Sequence, residues 1–516
     1  MIIPLNQPRI RQIRPEVIIY DGDNSFDASR YVKGINTDVS LDSPVGTMRV
    51  SFVPVNNENL ALSTSAVMNL LQSKIRKYCR ISVKIDRSEP EHTFYGIIDQ
   101  TFESKTTNNG QTGRTWTCNC SKALPKLLIR DEIPNTPILQ SDKKVISELG
   151  EVRAMFLGLL RGMDEEGRHS IWLDKNPEIP IRYILENAPS TIYFNKYINL
   201  KGDDPESLFN KTDIYDNRII DLNFLKTDAI FNTSLTTYSG TVLGYIIACM
   251  DPDYYEIFFE TTTLKDGNPA NKMTIRPRPY SFKELDNAER VSDGWTYWED
   301  LDAIEFHSRY RTQEQLGTND FEIANFFETT YERSLVASPE AGGMLIGCQY
   351  PVMDFDLIKR YGIRSHRSAV KYLNTVEMRK KNMKYKEEGS DNFFKSLMTK
   401  RDKMADWFLY PDYESGQITA LGNSTYKIGR KLYYTDRMYY DTEKIFQNEK
   451  PTIGMEYYIS RVAHTFEYPG TYLTTLGLTR GQPVKVVQEA GAYYKSMVPD
   501  WLKKRNLYKV NRIKEE

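Results

Sequence analysis

The sequence lacks an apolar run of membrane-spanning length, and it lacks an excess of either charge. Its longest apolar run is the nine residues Val242–Met250, whereas a membrane helix needs about 20. Its 68 Lys and Arg residues balance 69 Asp and Glu residues, which gives a formal net charge of −1. That balance excludes a polybasic nucleic-acid binder and an acidic disordered chain. We therefore expect a folded protein without a membrane span.

Cysteine and histidine are scarce, with five residues of each type in a chain of 516. An odd number of scattered Cys favours free thiols made in a reducing cytoplasm over a disulfide framework. Cys118 and Cys120 are one residue apart in a predicted strand, which places both thiols on one face. We predict core packing for this pair, because no second pair of Cys or His stands at ligand spacing.

The common catalytic motifs are absent too. The sequence has no G-x-S-x-G elbow, no Walker loop and no G-x-G-x-x-G after a strand. The acidic run Asp164–Glu166 is predicted to be a solvated loop. The two carboxylates of a glycosidase meet only in the fold, so a hydrolase remains an alternative. We predict no catalytic residue, no cofactor and no metal, and a protein that is not an enzyme.

The chain is long and rich in tyrosine. At ~100–200 residues per domain, 516 residues predict three to five domains. Apolar residues make up 40% of the chain, which is enough for packed cores, and the 34 Tyr outnumber Phe and Trp combined. Tyr is favoured on surfaces that are partly buried and partly exposed to water, so we expect many strands or large interfaces.

The pattern of the chain predicts six segments. Residues 1–15 hold three Pro and read as an extended arm with an unpaired backbone. Residues 16–135 have a period of two, one helix over Thr64–Tyr78 and a hairpin signal at Asn109-Gly110, which together predict a first β-barrel. Residues 136–295 form a mixed α+β middle, with helices over Lys144–Met163 and Ser239–Met250 and an Asp-rich loop or insertion near 200–220.

The second half returns to strands. Residues 296–410 are predicted to be a connecting domain of strands and helices. Residues 411–485 supply the closing strands of a second β-barrel, together with 296–310. The basic run Arg379–Lys386, with Lys400 and Lys403 beyond it, is predicted to be a solvated helix face or a subunit contact rather than a nucleic-acid site.

The last segment, 486–516, is a basic tail outside the sheet. It combines aromatic and cationic side chains, which suits docking onto a partner protein; binding to a membrane surface is the weaker alternative. The residues predicted to dock are Trp501, Lys503, Lys504 and Arg505.

A short echo connects the two strand-rich segments. Thr101–Glu103 and Thr465–Glu467 have the same sequence, and each is predicted to close an aromatic strand before a turn and a Thr-rich strand. The echo suggests two copies of one barrel.

The final hairpin carries a family resemblance. Its two strands are Gly454–Glu467 (GMEYYISRVAHTFE) and Thr471–Gly481 (TYLTTLGLTRG). They resemble the last hairpin of the baseplate hub proteins of contractile-tailed bacteriophages and related injection machines. Weaker matches to the same family occur in the same order along the chain, at Gly46–Val50 (GTMRV), Phe94–Asp99 (FYGIID), Ile275–Pro279 (IRPRP), Tyr361–Arg364 (YGIR) and Ser415–Ile418 (SGQI).

This resemblance implies an architecture and a role. The fold would be α+β and β-rich, with two similar antiparallel β-barrel tube domains that flank a mixed α/β middle. Three chains would form a pseudo-six-fold ring. The ring would join the six-fold tail tube to the three-fold central spike and leave a channel for DNA or tape measure protein. Tube-initiator and wedge proteins would be further partners. The chain would belong to the virion, be assembled in the bacterial cytoplasm and take part in genome ejection.

Within this resemblance the two hairpins are predicted to form the ring. The residues singled out are Phe94, Tyr95, Gly96, Tyr457, Tyr458, His464, Phe466, Arg480 and Gly481. We expect His464 to be a packed strand residue rather than a pH switch, and Arg480 to make an ion pair or a contact with a carbonyl. Two other functions remain as alternatives, a tail-associated cell-wall hydrolase and a β-rich module that binds the host surface.

Overall fold

The fold is described here from a computed structural model. It describes residues 2–3, 13–54, 64–108, 111–133, 172, 175–187, 209–226, 228, 230, 238–279, 294–318, 323–331, 352–353, 355–370, 400, 403–405, 407–408, 413–439 and 452–483.

Most of the described chain is β-structure, and one 14-stranded sheet that is largely antiparallel dominates it. The first sheet unit of this large sheet consists of β2 (Glu16–Asp21), β3 (Asn24–Asp27), β4 (Val32–Ser40), β5 (Thr47–Phe52), β6 (Arg80–Lys84), β7 (Phe94–Asn108) and β8 (Gln111–Lys122). Helix α1 (Thr64–Lys74) lies between β5 and β6 in the sequence. Buried and more exposed residues alternate along these strands. In β5, for example, Met48, Val50 and Phe52 are buried on one face.

The second sheet unit completes the large sheet. It consists of β14 (Ala303–Phe306), β15 (Arg311–Thr318), β19 (Glu414–Leu421), β20 (Lys431–Tyr439), β21 (Thr452–Glu467) and β22 (Thr471–Pro483). The short strand β1 (Ile2–Ile3) pairs in parallel with β14. The arm was predicted to leave its backbone unpaired; that is wrong for Ile2 and Ile3, which extend the edge of the second unit.

A middle module packs beside both units. Its strands are β9 (Glu132–Ile133), β10 (Ile220–Leu222), β11 (Gly240–Thr241), β12 (Tyr255–Thr263) and β13 (Pro269–Pro277), and its helices are α2 (Ala123–Arg130), α3 (Glu178–Asn187) and α4 (Val242–Ala248). All nine residues of β12 are buried, so both of its faces are covered. Part of the Asp-rich segment is ordered around Asp213, whose Oδ1 accepts the N–H groups of Tyr215 and Asn217.

A small sheet of β16 (Phe326–Tyr331), β17 (Val352–Met353) and β18 (Ser365–Val370), with helix α5 (Phe355–Tyr361), completes the described elements. The hydrophobic cores follow the same division. The first unit, the second unit and the middle module each bury a separate large cluster. Within the part of the chain that the structure describes, no helix is both long and apolar enough to cross a membrane.

Several predicted elements are confirmed, among them α1, α4 and the final hairpin β21–β22. The predicted echo is wrong in its details. Thr465–Glu467 does end β21, but Thr101–Glu103 lies in the middle of β7, which continues to Asn108. The helix predicted over Lys144–Met163 and the basic run Arg379–Lys386 lie outside the described residues.

Candidate functional site

The two sheet units repeat a short turn. Ser-Arg-Tyr forms a 3₁₀ helix at Ser29–Tyr31 and again at Ser308–Tyr310, and each leads directly into a strand, β4 or β15. In both turns the Ser hydroxyl and backbone N–H donate to a single carboxylate. The backbone distance is 2.9 Å to Asp27 in the first unit and 2.9 Å to Asp436 in the second. Each turn also buries its Tyr.

The long hairpins repeat a bulge. The pairing of β7 with β8 shifts between Ile98 and Gln100, and the pairing of β21 with β22 shifts between Ile459 and Arg461. A bulge adds one residue to one strand and bends it locally. The bulge therefore gives a fixed point for aligning β7 with β21, with Gln100 equivalent to Arg461.

The residues just before β6 and β20 repeat an unusual backbone conformation. Tyr78 has a φ of 71° and Gly429 a φ of 73°. The N–H of Tyr78 donates to Ile98 O at 2.7 Å, and the N–H of Gly429 donates to Ile459 O at 2.9 Å. A left-handed φ is uncommon for a residue such as Tyr. Its recurrence at the equivalent place indicates a shared backbone design.

The strand order repeats as well. The first unit runs β4–β5–β8–β7–β6 and the second runs β15–β19–β22–β21–β20, and every neighbouring pair in both runs is antiparallel. The units differ elsewhere: β14 takes the place of β2 but pairs in parallel with β20, and a loop joins β19 to β20 where the first unit has helix α1. The chain thus contains an internal structural repeat.

The two repeats join edge to edge through β4 and β21. Seven residue pairs form this intrachain seam, from Gly34–Glu467 to Ser40–Arg461. The guanidinium of Arg461 binds both carboxylate oxygens of Asp38, at 2.8 and 2.6 Å. Both side chains are about half exposed, so this ion pair adds specificity more than stability.

The tip of the β21–β22 hairpin extends into the first unit. Phe466 and Tyr472 are buried in the hydrophobic core of that unit rather than in their own. The N–H of Tyr468, at the tip, donates to Lys33 O at 2.9 Å. The intrachain seam therefore combines a backbone ladder with buried aromatic packing.

His464 lies at the centre of the intrachain seam and is buried. Its Nδ1 is 2.9 Å from Thr474 Oγ1 and 3.1 Å from the hydroxyl of Tyr472. Burial, with a smaller effect from Lys122, lowers the pKa of His464 to about 3. The burial and the two side-chain contacts of His464 confirm the prediction of a packed strand residue.

Loops from the two units meet a second time beside the seam. The N–H of Ser424 donates to Glu89 Oε1 at 3.3 Å, and Lys427 forms an ion pair with Glu91. Burial raises the pKa of Glu89 to about 7. The Glu89 carboxyl therefore gains or loses its proton near neutral pH.

The middle module anchors the second unit through buried polar contacts. The hydroxyl of Tyr458 lies 2.7 Å from Glu256, and Arg276 Nε donates to the same carboxylate at 2.8 Å. Arg276 Nη2 also donates to Gly429 O of the second unit at 2.6 Å. Because these contacts are largely buried and involve a charged side chain, they fix the middle module firmly against the second unit.

The middle module holds the first unit in a similar way. Asn271 Nδ2 donates to Tyr95 O at 3.1 Å, and the ammonium of Lys122 donates to Phe259 O. Burial is the main reason that the pKa of Lys122 is lowered, to about 7. The three parts form one connected network of contacts.

The predicted ring-forming residues lie mainly inside the chain. Phe94, Tyr95, Tyr457 and Tyr458 are at most 2% exposed. Gly96 leaves no room for a side chain, because a Cβ there would clash with Ser121 O and the ring of Phe94. These residues shape the hairpins and are not free to contact another copy directly.

The end of the last strand is closely packed. A Cβ on Gly481 would clash with the ring of Tyr457. The guanidinium of Arg480 stacks 3.5 Å from the centroid of Trp407 and donates to the carbonyl of the same residue. The carbonyl contact predicted for Arg480 is confirmed. The predicted docking residues Trp501, Lys503, Lys504 and Arg505 lie outside the described residues.

Two predictions about single residues can be compared with the structure. Cys118 and Cys120 are both buried, with their sulfurs 3.8 Å apart, so core packing is confirmed. Lys400 and Lys403 were predicted to lie on a solvated helix face or in a salt-bridged subunit contact; the solvated face is wrong, because they are 1% and 2% exposed. Lys400 pairs with the buried carboxylate of Asp228 at 3.0 Å, because a buried ammonium requires a counter-charge.

Sequence reasoning missed the most informative residues. The two Ser-Arg-Tyr turns and the seam partners Asp38 and Arg461 were not singled out. The repetition of Ser-Arg-Tyr before a strand was the available signal. Among the described residues, no group of three or more His, Cys, Asp or Glu is arranged to hold a metal ion.

The outer edges of the two repeats remain open within the described part of the chain. There, β15 pairs only with β19, and Gln100–Thr106 of β7 pairs only with β8. Six of the seven residues from Gln100 to Thr106 and seven of the eight residues of β15 are polar, charged or Gly; the exceptions are Phe102 and Leu316. Unpaired strand edges are templates for another strand.

Comparison with known proteins gives structural similarity only. No protein-family model matches the chain, and no curated protein matches it. A tail protein from Neisseria meningitidis MC58 is similar at 9% identity, over 91% of this chain and 97% of that one, with a TM-score of 0.44. The 43 kDa tail protein of prophage MuSo2 from Shewanella oneidensis is similar at 10% identity, over 90% and 98%, with a TM-score of 0.43.

A third similar structure comes from a secretion machine. It is an E. coli component of the type VI secretion system that is described as structurally similar to the bacteriophage T4 tail proteins gp27 and gp5. It is 8% identical over 88% of this chain and 73% of that one, with a TM-score of 0.38. The similar structures named here are thus two tail proteins and a type VI secretion component.

Proposed function

We propose that this chain is a structural baseplate hub, a homotrimeric adaptor that joins a six-fold tail tube to a three-fold central spike. The internal repeat is the observation that carries the proposal. A chain with two equivalent sheet units can present six units from three copies. Such a ring matches six-fold symmetry on one side and keeps three-fold symmetry on the other.

The seam between the repeats supplies the physical logic. Strand β21 of one repeat pairs with strand β4 of the other, which is a head-to-tail contact between similar units. Head-to-tail contacts that repeat by a constant rotation close into a ring. Each repeat then contributes strands to a continuous wall around a central channel for DNA or tape measure protein.

In this role the chain neither forms nor breaks covalent bonds in a substrate. Its polar clusters fix one part of the fold against another, as Glu256 does for Tyr458 and Arg276. We propose that the chain is not an enzyme and needs no cofactor. Its partners would be tube or tube-initiator proteins and the spike, with tape measure and wedge proteins as further contacts. Its place would be the virion tail.

Light scattering and negative-stain averaging of the purified chain test the proposal. We expect a trimer with a central hole and a pseudo-six-fold outline, and co-purification with the spike protein on co-expression. A chain that stays monomeric with the spike present and binds host cells or glycans would instead be a surface-binding module. Clearing of cell-wall substrate in a zymogram, abolished by one Asp or Glu substitution, would identify a hydrolase.

A further inference from the structure

We propose that β15 of one chain pairs with β7 of a second copy, in the register that β4 and β21 adopt within one chain. This inference rests on the proposed ring, and it adds which strands form the contact between copies and which residues face each other. We call this contact the intercopy seam.

The internal repeat fixes the identity of the strands. β15 follows the second Ser-Arg-Tyr turn as β4 follows the first, and β7 carries the bulge that β21 carries. Inside one chain, β4 and β21 satisfy each other's edges. Their counterparts β15 and β7 have no such partner within the described residues. A second copy would place its β7 beside β15, as β21 lies beside β4 within one chain.

Six strands separate β7 from β15 along the sheet of one chain. β7 and β15 of one chain do not pair with each other. Within the described residues the chain therefore has one unpaired edge of each kind, and pairing them between copies is head-to-tail. This geometry selects a second copy of the chain as the occupant.

The register follows from two fixed points. The Ser-Arg-Tyr turns align Asn36 with Gln315, and the hairpin bulges align Thr465 with Ser104. Asn36 and Thr465 are direct partners in the intrachain seam. We therefore expect Gln315 of one copy to lie directly opposite Ser104 of the next.

Charge complementarity supports this register independently. In the intrachain seam the next pair is Phe466 opposite Ile35, two apolar residues. The equivalent pair in the intercopy seam is Lys105 opposite Glu314. Both members of the pair have changed together, from apolar to oppositely charged. Opposite charges on directly paired strands favour pairing. The adjacent pair in this register is Glu103 opposite Leu316, where the carboxylate of Glu103 is already bound by Arg114.

The charged pair also explains how the edges stay soluble before assembly. Lys105 is exposed, and Glu314 is only partly buried beside Arg437 and Arg311. Polar and charged residues on an edge oppose indiscriminate pairing with other strands. The intrachain seam needs no such protection, because it is made as the chain folds.

Disulfide cross-linking of the double variant Ser104→Cys/Gln315→Cys tests the register. Both positions are exposed, so the variant is expected to fold. Mild oxidation with diamide should convert most of the chain into covalent trimers on non-reducing gels. The control Gln100→Cys/Gln313→Cys places the thiols about 20 Å apart in the same seam and should give at least tenfold less cross-linking.

The outcomes separate the seam from the ring. A trimer by light scattering that cross-links in the first variant and not in the control supports the intercopy seam. A trimer that cross-links in neither, or equally in both, overturns the seam while leaving the ring and the proposed function in place. A monomer under all conditions, with the spike protein added, overturns both.

A charge variant gives a second readout without cysteine. Lys105→Glu places two carboxylates opposite each other and should weaken trimer formation at least tenfold, with the effect reduced by high salt. Lys74→Glu, on the exposed end of α1, changes the net charge equally and should leave the trimer unchanged. Equal effects of the two variants would overturn the pairing of Lys105 with Glu314.

Discussion

The hydroxyl of Tyr458 lies 2.7 Å from the carboxylate of Glu256, at a point where both side chains are almost fully buried. This contact connects the last hairpin to the middle module, across 202 positions of sequence. Burial raises the pKa of the Tyr458 hydroxyl, so it remains a hydrogen-bond donor.

Tyr458→Phe should destabilise the chain because it leaves a buried carboxylate one donor short. We expect a loss of about 1–3 kcal/mol in the free energy of unfolding. Urea denaturation measures it, with Tyr433→Phe on the neighbouring strand as the control. A loss no larger than that of the control would show that the hydrogen bond adds little.

Gly96→Ala should disturb the start of β7. The new methyl group would clash with the backbone oxygen of Ser121 and with the Phe94 ring, and a backbone atom cannot move aside cheaply. We expect a loss of about 1–3 kcal/mol, as for other overpacked sites. Gly113→Ala, on the same hairpin with its nearest atom 3.7 Å away, should be tolerated. Equal thermal midpoints for the two variants would contradict this account.

His464 should make the chain less stable in mild acid. Its pKa is about 3 in the folded chain, against an ordinary value of 6.5, so unfolding takes up a proton between these values. Stability is fully present above pH 6.5 and falls as the pH drops. Between pH 7.5 and 5.5 the loss should be about 1.4 kcal/mol. His464→Gln should remove this part of the pH dependence, which urea titrations at the two pH values would detect.

Glu89 should act in the opposite direction. Its folded pKa of about 7 lies above the ordinary value of 4.5, so the folded chain holds a proton that the unfolded chain releases. This contribution to stability is full below pH 4.5 and is lost as the pH rises through 7. Glu89→Gln should therefore gain about 2 kcal/mol relative to the parent chain on going from pH 5 to pH 8. Asp23→Asn, in an exposed turn, should show no such change.

Removal of residues 490–516 tests the predicted role of the basic tail. We expect the truncated chain to form the same oligomer by light scattering and to bind a partner protein of the tail more weakly in co-purification. Failure of the truncated chain to assemble would place the tail in the ring itself.

Local patterns were sufficient to predict many strands and few of their long-range pairings. Alternating burial predicts β5 and β22, since a period of two is set by neighbours in the sequence. Nothing local predicts that Phe466 enters the core of the first unit, because its partner Ile35 lies more than 400 positions away. The burial of Lys400 was missed for the same reason, since its counter-charge on Asp228 is brought near only by the fold.

The internal repeat was also difficult to predict from local sequence patterns. Its backbone is conserved in strand order, bulges and turns, while its residues have diverged almost everywhere except Ser-Arg-Tyr. Phe466 and Lys105 occupy equivalent places and share no chemistry. Hydrogen bonding of the backbone keeps such positions aligned, whereas side chains can change as long as each seam remains complementary. Apart from the two Ser-Arg-Tyr turns, comparison of residue types therefore gives little sign of the repeat.

Helix α1 belongs to one repeat, and a loop takes its place in the other. Any closed assembly of these chains must then alternate a unit that carries this helix with a unit that lacks it. Neighbouring units would look the same to a partner that touches only the shared strands, and different to a partner that reaches the helix. One polypeptide can in this way present two rotational symmetries. A partner that binds close to the shared strands would meet the higher symmetry, and a partner that reaches the helix would meet the lower one.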